Sequence, residues 1–137
     1  MGAIRTKTSL PDDIREIAIC RTALINEAWF EWNAHSPILL KSEGFTDEKL
    51  AVVQQLHPAS KGALDDRQWA VLRFADAMTR DIKVPQALFD EVKASGFSDQ
   101  QMVELTATVA SYNLVSRFLV ALDVSEHNDK VPEWAKK

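Results

Sequence analysis

Glu27, Glu31 and His35 are spaced four apart in the sequence, so on a helix they lie along one side, with Glu31 and His35 close enough to interact. A carboxylate beside an imidazole holds one tautomer and raises the ring's basicity. A helix end is expected near His35, where the dipole also favours the protonated ring. That combination suits a proton shuttle. Glu16 stands eleven residues before Glu27, about three helical turns, which returns it to roughly the same side of a continuous helix. A kink would let it approach His35. Trp29, Phe30 and Trp32 supply aromatic surface of the kind that dries a site and moves carboxylate pKa values upward, as acid and base catalysis requires.

Each of these features has an ordinary structural reading as well. An acidic residue four before a histidine is a common solvated helix pair, and tryptophans commonly fill a core. Tyr112, Asn113 and Arg117 share a second helical pattern, where Tyr112 and Asn113 would either reach a pocket or serve as buried and capping groups. Metal binding is disfavoured. His35, His57 and His127 fall in separate segments, and no His-x-x-x-His or Glu-x-x-His pair supplies helical ligand spacing. Neither a Gly-x-Gly-x-x-Gly loop nor a Gly-x-Ser-x-Gly elbow occurs, which disfavours nucleotide cofactors and serine hydrolysis. No cofactor is expected.

The elements that must position these residues are helices. One is expected after Leu10-Pro11, capped by Asp12 or Asp13 and running through Ile14, Ile17, Ala18, Thr22, Ile25, Trp29 and Trp32 to end near His35, because Pro37 disfavours helical geometry at Ser36. Gly44 and Thr46 open the next, with Leu50, Val53 and Leu56 as its apolar stripe and His57-Pro58 as its stop. Asp65-Asp66 caps a helix on Trp69, Leu72, Ala75 and Met78, and Pro85 starts another with Leu88, Phe89 and Val92. Ser98 and Gln101 form a capping box before a long helix carrying Met102, Leu105, Thr106, Val109, Tyr112, Asn113, Phe118 and Leu122. No segment alternates with period two. The expectation is an all-α, single-domain bundle of about six helices over residues 1–137, with a core of about 10–124 and a polar tail of 125–137 that docks on a neighbour through Trp134.

Composition agrees with a self-sufficient globular domain. A chain of 137 residues, 46% hydrophobic and 26% charged, is long enough to bury about two-thirds of its unfolded surface. Its net charge of -4 argues against nucleic acid or an anionic membrane as partner, since phosphate binding needs clustered Lys and Arg. Met1 to Ser9 hold no apolar stretch resembling a signal peptide, and nothing approaches the roughly 18 apolar residues of a membrane span. A cytoplasmic address is expected. Cys20 is the only cysteine, so no intramolecular disulfide and no Cys-x-x-Cys motif exists, and its apolar neighbours Ile17, Ala18 and Ile19 suggest a core position.

Arg15-Glu16 followed by Glu31-Trp32-Asn33-Ala34-His35 resembles the carboxymuconolactone decarboxylase family, which also contains the alkylhydroperoxidase D-like proteins. Gly44-Phe45-Thr46 with Glu48 resembles that family's turn into its next helix, Val71 to Ala75 its middle helix, and Glu104-Leu105, Tyr112-Asn113 and Arg117 its last long helix. The likeness covers most of residues 10–124. The peroxidase branch has Glu, eleven residues, Cys-x-x-Cys, three residues and His; here Glu16 and His35 match, while Ala28 and Glu31 stand at the cysteine positions. Dithiol peroxide reduction is therefore chemically unavailable.

What the resemblance implies is an alkylhydroperoxidase D-like fold and cofactor-independent acid and base chemistry on a small lactone or keto-acid-like carbonyl substrate. Decarboxylation leaves an enolate that needs stabilising donors and then a proton; isomerisation or dehydration uses the same apparatus. The implied catalytic residues are His35 as proton donor or shuttle, Glu31 as its orienting partner and Glu16 as a second acid or base. Trp29, Trp32, Tyr112 and Asn113 are the substrate-binding candidates, with Arg73 or Arg117 holding a substrate carboxylate. The family likeness also implies a homo-oligomer, a trimer or hexamer. A peroxide-related oxidoreductase using Cys20 as a lone thiol, or a non-catalytic binding and assembly module on the same scaffold, are the alternatives.

Overall fold

A computed structural model describes residues 2–137, apart from the side chain of Arg5. The chain is all-helical among these residues. Seven α-helices follow one another: α1 (Gly2–Thr6), α2 (Asp12–Ile25), α3 (Trp29–Leu40), α4 (Asp47–Val53), α5 (Asp66–Asp81), α6 (Gln86–Ala94) and α7 (Asp99–Ala121). Short 3-10 turns at Val124–Glu126 and Glu133–Ala135 close it. The first helix, α1, falls in a stretch for which no helix was expected.

Helix α2 is the hub, packing on α3, α5 and α7 and touching α4, while α6 lies on α5 and α1 on α7. Ten of its fourteen residues are buried, so it is enclosed nearly all round rather than along one stripe. Ile14, Ile17, Ala18, Cys20, Ala23 and Leu24 enter one cluster with Leu72, Phe74, Leu105 and Val109 from α5 and α7. Burying one such aliphatic side chain stabilises the fold by about 1.5–3 kcal/mol.

The helix starts follow the capping chemistry in the sequence. Thr46 accepts from the Lys49 amide, and Asp65 with Gln68 and Ser98 with Gln101 form reciprocal capping boxes. Asp12 and Asp13 do not cap α2. Pro11 occupies that position, and the two acids sit in the first turn, where Asp12 takes a hydrogen bond from Arg15 and Asp13 one from Gln68.

Three other expectations are corrected. The helix expected to run unbroken to His35 is interrupted at Asn26–Ala28, where Glu27 has a φ of 52°, so α3 turns back against α2. Pro37 does not end α3, which continues to Leu40. Proline removes one helical N–H and crowds the preceding turn at a cost of about 3 kcal/mol, and burial of Leu39 at the helix end offsets part of that. Finally, Phe118 and Leu122 are not core: they are 59% and 64% exposed, and Thr108 and Ser116 occupy the buried face of α7 instead.

Arg21, in the middle of the hub, is fully buried. Its Nε and Nη2 donate to the two carboxylate oxygens of Asp76 at 2.8 and 2.7 Å. Its Nη1 donates to the carbonyls of Val53 and Gln55, each at 2.6 Å. The guanidinium thus satisfies carbonyls that α4 leaves without helical partners, and it ties α2, α4 and α5 together.

Candidate active site

The interruption at Asn26–Ala28 creates the site. Because α3 folds back beside α2, residues nineteen apart in sequence meet: His35 Nδ1 lies 2.7 Å from Glu16 Oε2. On its own helix, His35 Nε2 lies 3.3 Å from Glu31 Oε2. All three are buried, with relative exposures of 1% for Glu16, 4% for His35 and 8% for Glu31. Arg15 Nε donates to the other oxygen of Glu16 at 3.3 Å. Two carboxylates and two cations therefore leave the cluster close to neutral, as a buried charge set must be.

Burial alone would push the His35 imidazole pKa down. Hydrogen bonds to Glu16 and then Glu31, with the negative charge of both, outweigh it and raise the pKa from 6.5 to about 9. The ring is an imidazolium at neutral pH and donates from both nitrogens. The closer and more deeply buried partner is Glu16, so the carboxylate that orients the ring is Glu16, whereas Glu31 stands on the more open side.

Tyr112 of α7 presents its ring edge-on to His35, with centroids 5.2 Å apart. One turn further along the buried face, Ser116 Oγ is buried without a hydrogen-bond partner. Neither Ser116 nor Arg15 carried a sequence signal for a site role beyond the resemblance in which Arg15-Glu16 appears. A serine on a helix is common, and its burial is decided by how α7 rolls against α2.

The other expected site residues lie elsewhere. Arg73 pairs with Glu91 of α6 and stacks on Trp69 at 5.4 Å, which places it on the α5–α6 seam and leaves it no contact with the cluster. Arg117 donates to Asn113 Oδ1 at 2.6 Å. Asn113 is fully engaged: its Nδ2 donates to Thr79 Oγ1 at 3.1 Å and its Oδ1 accepts from Asn26 Nδ2 at 3.0 Å. It holds the α2–α3 turn to α7 rather than facing a ligand. Trp29 and Trp32 are 5% and 2% exposed and are covered by Trp134, whose ring centroid lies 6.3 and 5.1 Å from theirs. The tail thus packs through Trp134 on Trp29 and Trp32 of its own chain, with 43% of the Trp134 surface left exposed. Glu27 sits exposed at the turn and touches none of the three site residues.

Cys20 is fully buried. Burial, and next the charge of Glu16, push its thiol pKa well above 9.0 against the opposing effect of Arg21. It stays a protonated core thiol, so the lone-thiol oxidoreductase reading has no nucleophile at this position. Among the described residues, no group of three His, Cys, Asp or Glu side chains has the geometry of a metal site, and no helix is long and apolar enough to cross a membrane. Cavities of about 490 and 390 Å³ lie at α6–α7 and at the α2–α3 turn, lined by other residues than Glu16, Glu31 and His35. No family model and no curated protein sequence matches the chain.

Proposed function

We propose that the chain is a cofactor-independent acid/base enzyme in which His35 moves a proton on a small lactone or keto-acid-like carbonyl substrate. The observation that carries this reading is a buried imidazolium held at 2.7 Å by one carboxylate and at 3.3 Å by a second, more open one. Glu16 fixes the ring through Nδ1. Glu31, at the looser end, gives way at Nε2 when a substrate oxygen or carbon approaches, and the Nε2 proton becomes the one delivered.

In decarboxylation the carbon–carbon bond to the carboxylate breaks, its electron pair forms an enolate, and carbon dioxide leaves. His35 then gives its Nε2 proton to the carbanionic carbon and is reprotonated from solvent past Glu31. In isomerisation, Glu31 takes a proton alpha to the carbonyl and His35 returns one elsewhere. Both routes need a donor for the enolate oxygen. Likeness to the carboxymuconolactone decarboxylase family supports the same chemistry, an alkylhydroperoxidase D-like fold and a homo-oligomeric state; the apolar face exposed on α7 supports that assembly.

Both routes also exchange substrate protons with solvent. A panel of lactones and keto acids incubated with the protein in deuterium oxide is expected to yield at least one compound that gains deuterium alpha to its carbonyl or loses carbon dioxide. His35→Gln is expected to reduce that rate by about 10²- to 10⁴-fold, the usual worth of a positioned acid or base. Equal rates for the two proteins would remove the assignment.

A further inference from the structure

A second site lies at the α2–α3 turn, away from His35. The cleft there encloses about 390 Å³ and is lined by Leu24, Leu56, Trp29 and Trp134. Arg80, Lys137 and Glu27 also line it, giving two cations against one anion. Small-molecule sites combine these features: an apolar and aromatic body with a few polar groups that fix orientation.

Arg80 is the informative residue. Arg15 is matched to Asp12 and Glu16, Arg21 to Asp76 and Arg73 to Glu91, while Arg67 stacks on Phe97 and Arg117 bonds Asn113. Arg80 has only the Leu56 carbonyl, which accepts from its Nη2 at 2.6 Å. That bond anchors the guanidinium at the cleft and leaves its remaining N–H groups for an anion. Trp134 keeps 43% of its surface exposed, so indole surface is open beside an oriented cation. A planar aromatic group bearing one carboxylate matches both, the ring lying on the exposed indole of Trp134 and the carboxylate on the guanidinium fork.

We propose that the cleft between the α2–α3 turn and the Trp134 segment is a binding site for a planar aromatic monocarboxylate, held by Arg80 and by Trp134, which packs on Trp29. The site is independent of proton transfer at His35.

The four tryptophans give four indole N–H signals in a nitrogen-15 correlation spectrum, assigned by Trp→Phe variants. Titration with 2-naphthoate is expected to shift the Trp29 and Trp134 signals saturably, with 2-naphthamide binding about tenfold more weakly or worse. Arg80→Gln should weaken naphthoate by about tenfold or more, the worth of a charge-assisted hydrogen bond. Glu27→Gln, which leaves Arg80 in place, should tighten it severalfold by removing a like charge. His35→Gln should leave the titration as it is, so the absence of any deuterium exchange at His35 would not affect this site. The proposal fails if no saturable shift appears at millimolar naphthoate, if the amide binds as well as the acid, or if neither charge variant changes affinity. It fails too if His35→Gln abolishes the shifts, which would place the ligand at the proton-transfer centre.

Discussion

His35 keeps its proton because two carboxylates are held against a ring that burial alone would neutralise. Removing one of them lets burial dominate. Glu16→Gln is expected to bring the His35 pKa down from about 9, and nitrogen-15 chemical shifts of the imidazole would follow it. The same charge set makes stability depend on pH. The folded pKa of about 9 lies above the ordinary 6.5, so the stabilisation is fully present below about pH 6.5 and is lost as pH rises through 9. At 1.36 kcal/mol per unit it amounts to at most about 3 kcal/mol. Urea unfolding at pH 6 and pH 9.5 should show the loss in the native protein and little of it in His35→Gln. The Glu31–His35 pair was legible from its spacing of four, since any helix brings such residues together. The Glu16–His35 contact was legible only as the option of a kink, because it depends on a turn that apolar periodicity does not reveal.

That turn is the element on which the site depends. Asn26, Glu27 and Ala28 carry no glycine or proline to mark a break, and apolar residues at helical spacing run straight through them, so the pattern reads as one helix. What sets the break is tertiary: Asn113 of α7 accepts from the Asn26 side chain and donates to Thr79 of α5. Asn113→Ala leaves the Asn26 amide unpaired and should cost about 1–3 kcal/mol, read from denaturant midpoints. Asn113→Asp, which keeps the acceptor for Asn26 and Arg117, should recover part of it. Arg21 plays the corresponding part for α4. Arg21→Met strands the Asp76 carboxylate and the carbonyls at the end of α4, and about 3–5 kcal/mol of destabilisation is expected from breaking a buried pair. Capping chemistry, by contrast, was readable at Thr46, Asp65 and Ser98, because it is local.

At the scale of the molecule, the long α7 helix has two apolar faces. One packs on α2; the other exposes Val103, Leu114, Phe118 and Leu122, at 68%, 67%, 59% and 64%, next to a cavity of about 490 Å³ lined by Met102, Thr106, Ala107 and Ala110. Helical periodicity cannot tell a core stripe from an interface stripe, which is why Phe118 and Leu122 read as core in the sequence. Patches of that kind mark association surfaces. Leu114→Lys with Phe118→Glu is expected to shift the protein to a smaller species in sedimentation velocity without lowering its helical content; a native protein that already sediments as a monomer would remove the homo-oligomer. The all-helical class was legible because no segment alternates with period two, whereas the hub role of α2 was not, since a helix buried all round has no stripe to read. The bundle buries one imidazole between two carboxylates, and the most direct measurement of its proposed charge is the titration of His35 by nitrogen-15 NMR in the native protein. A midpoint near 9 with both ring nitrogens protonated at pH 7 is the predicted result. A midpoint near 6.5, with the ring titrating as a free imidazole, would contradict it.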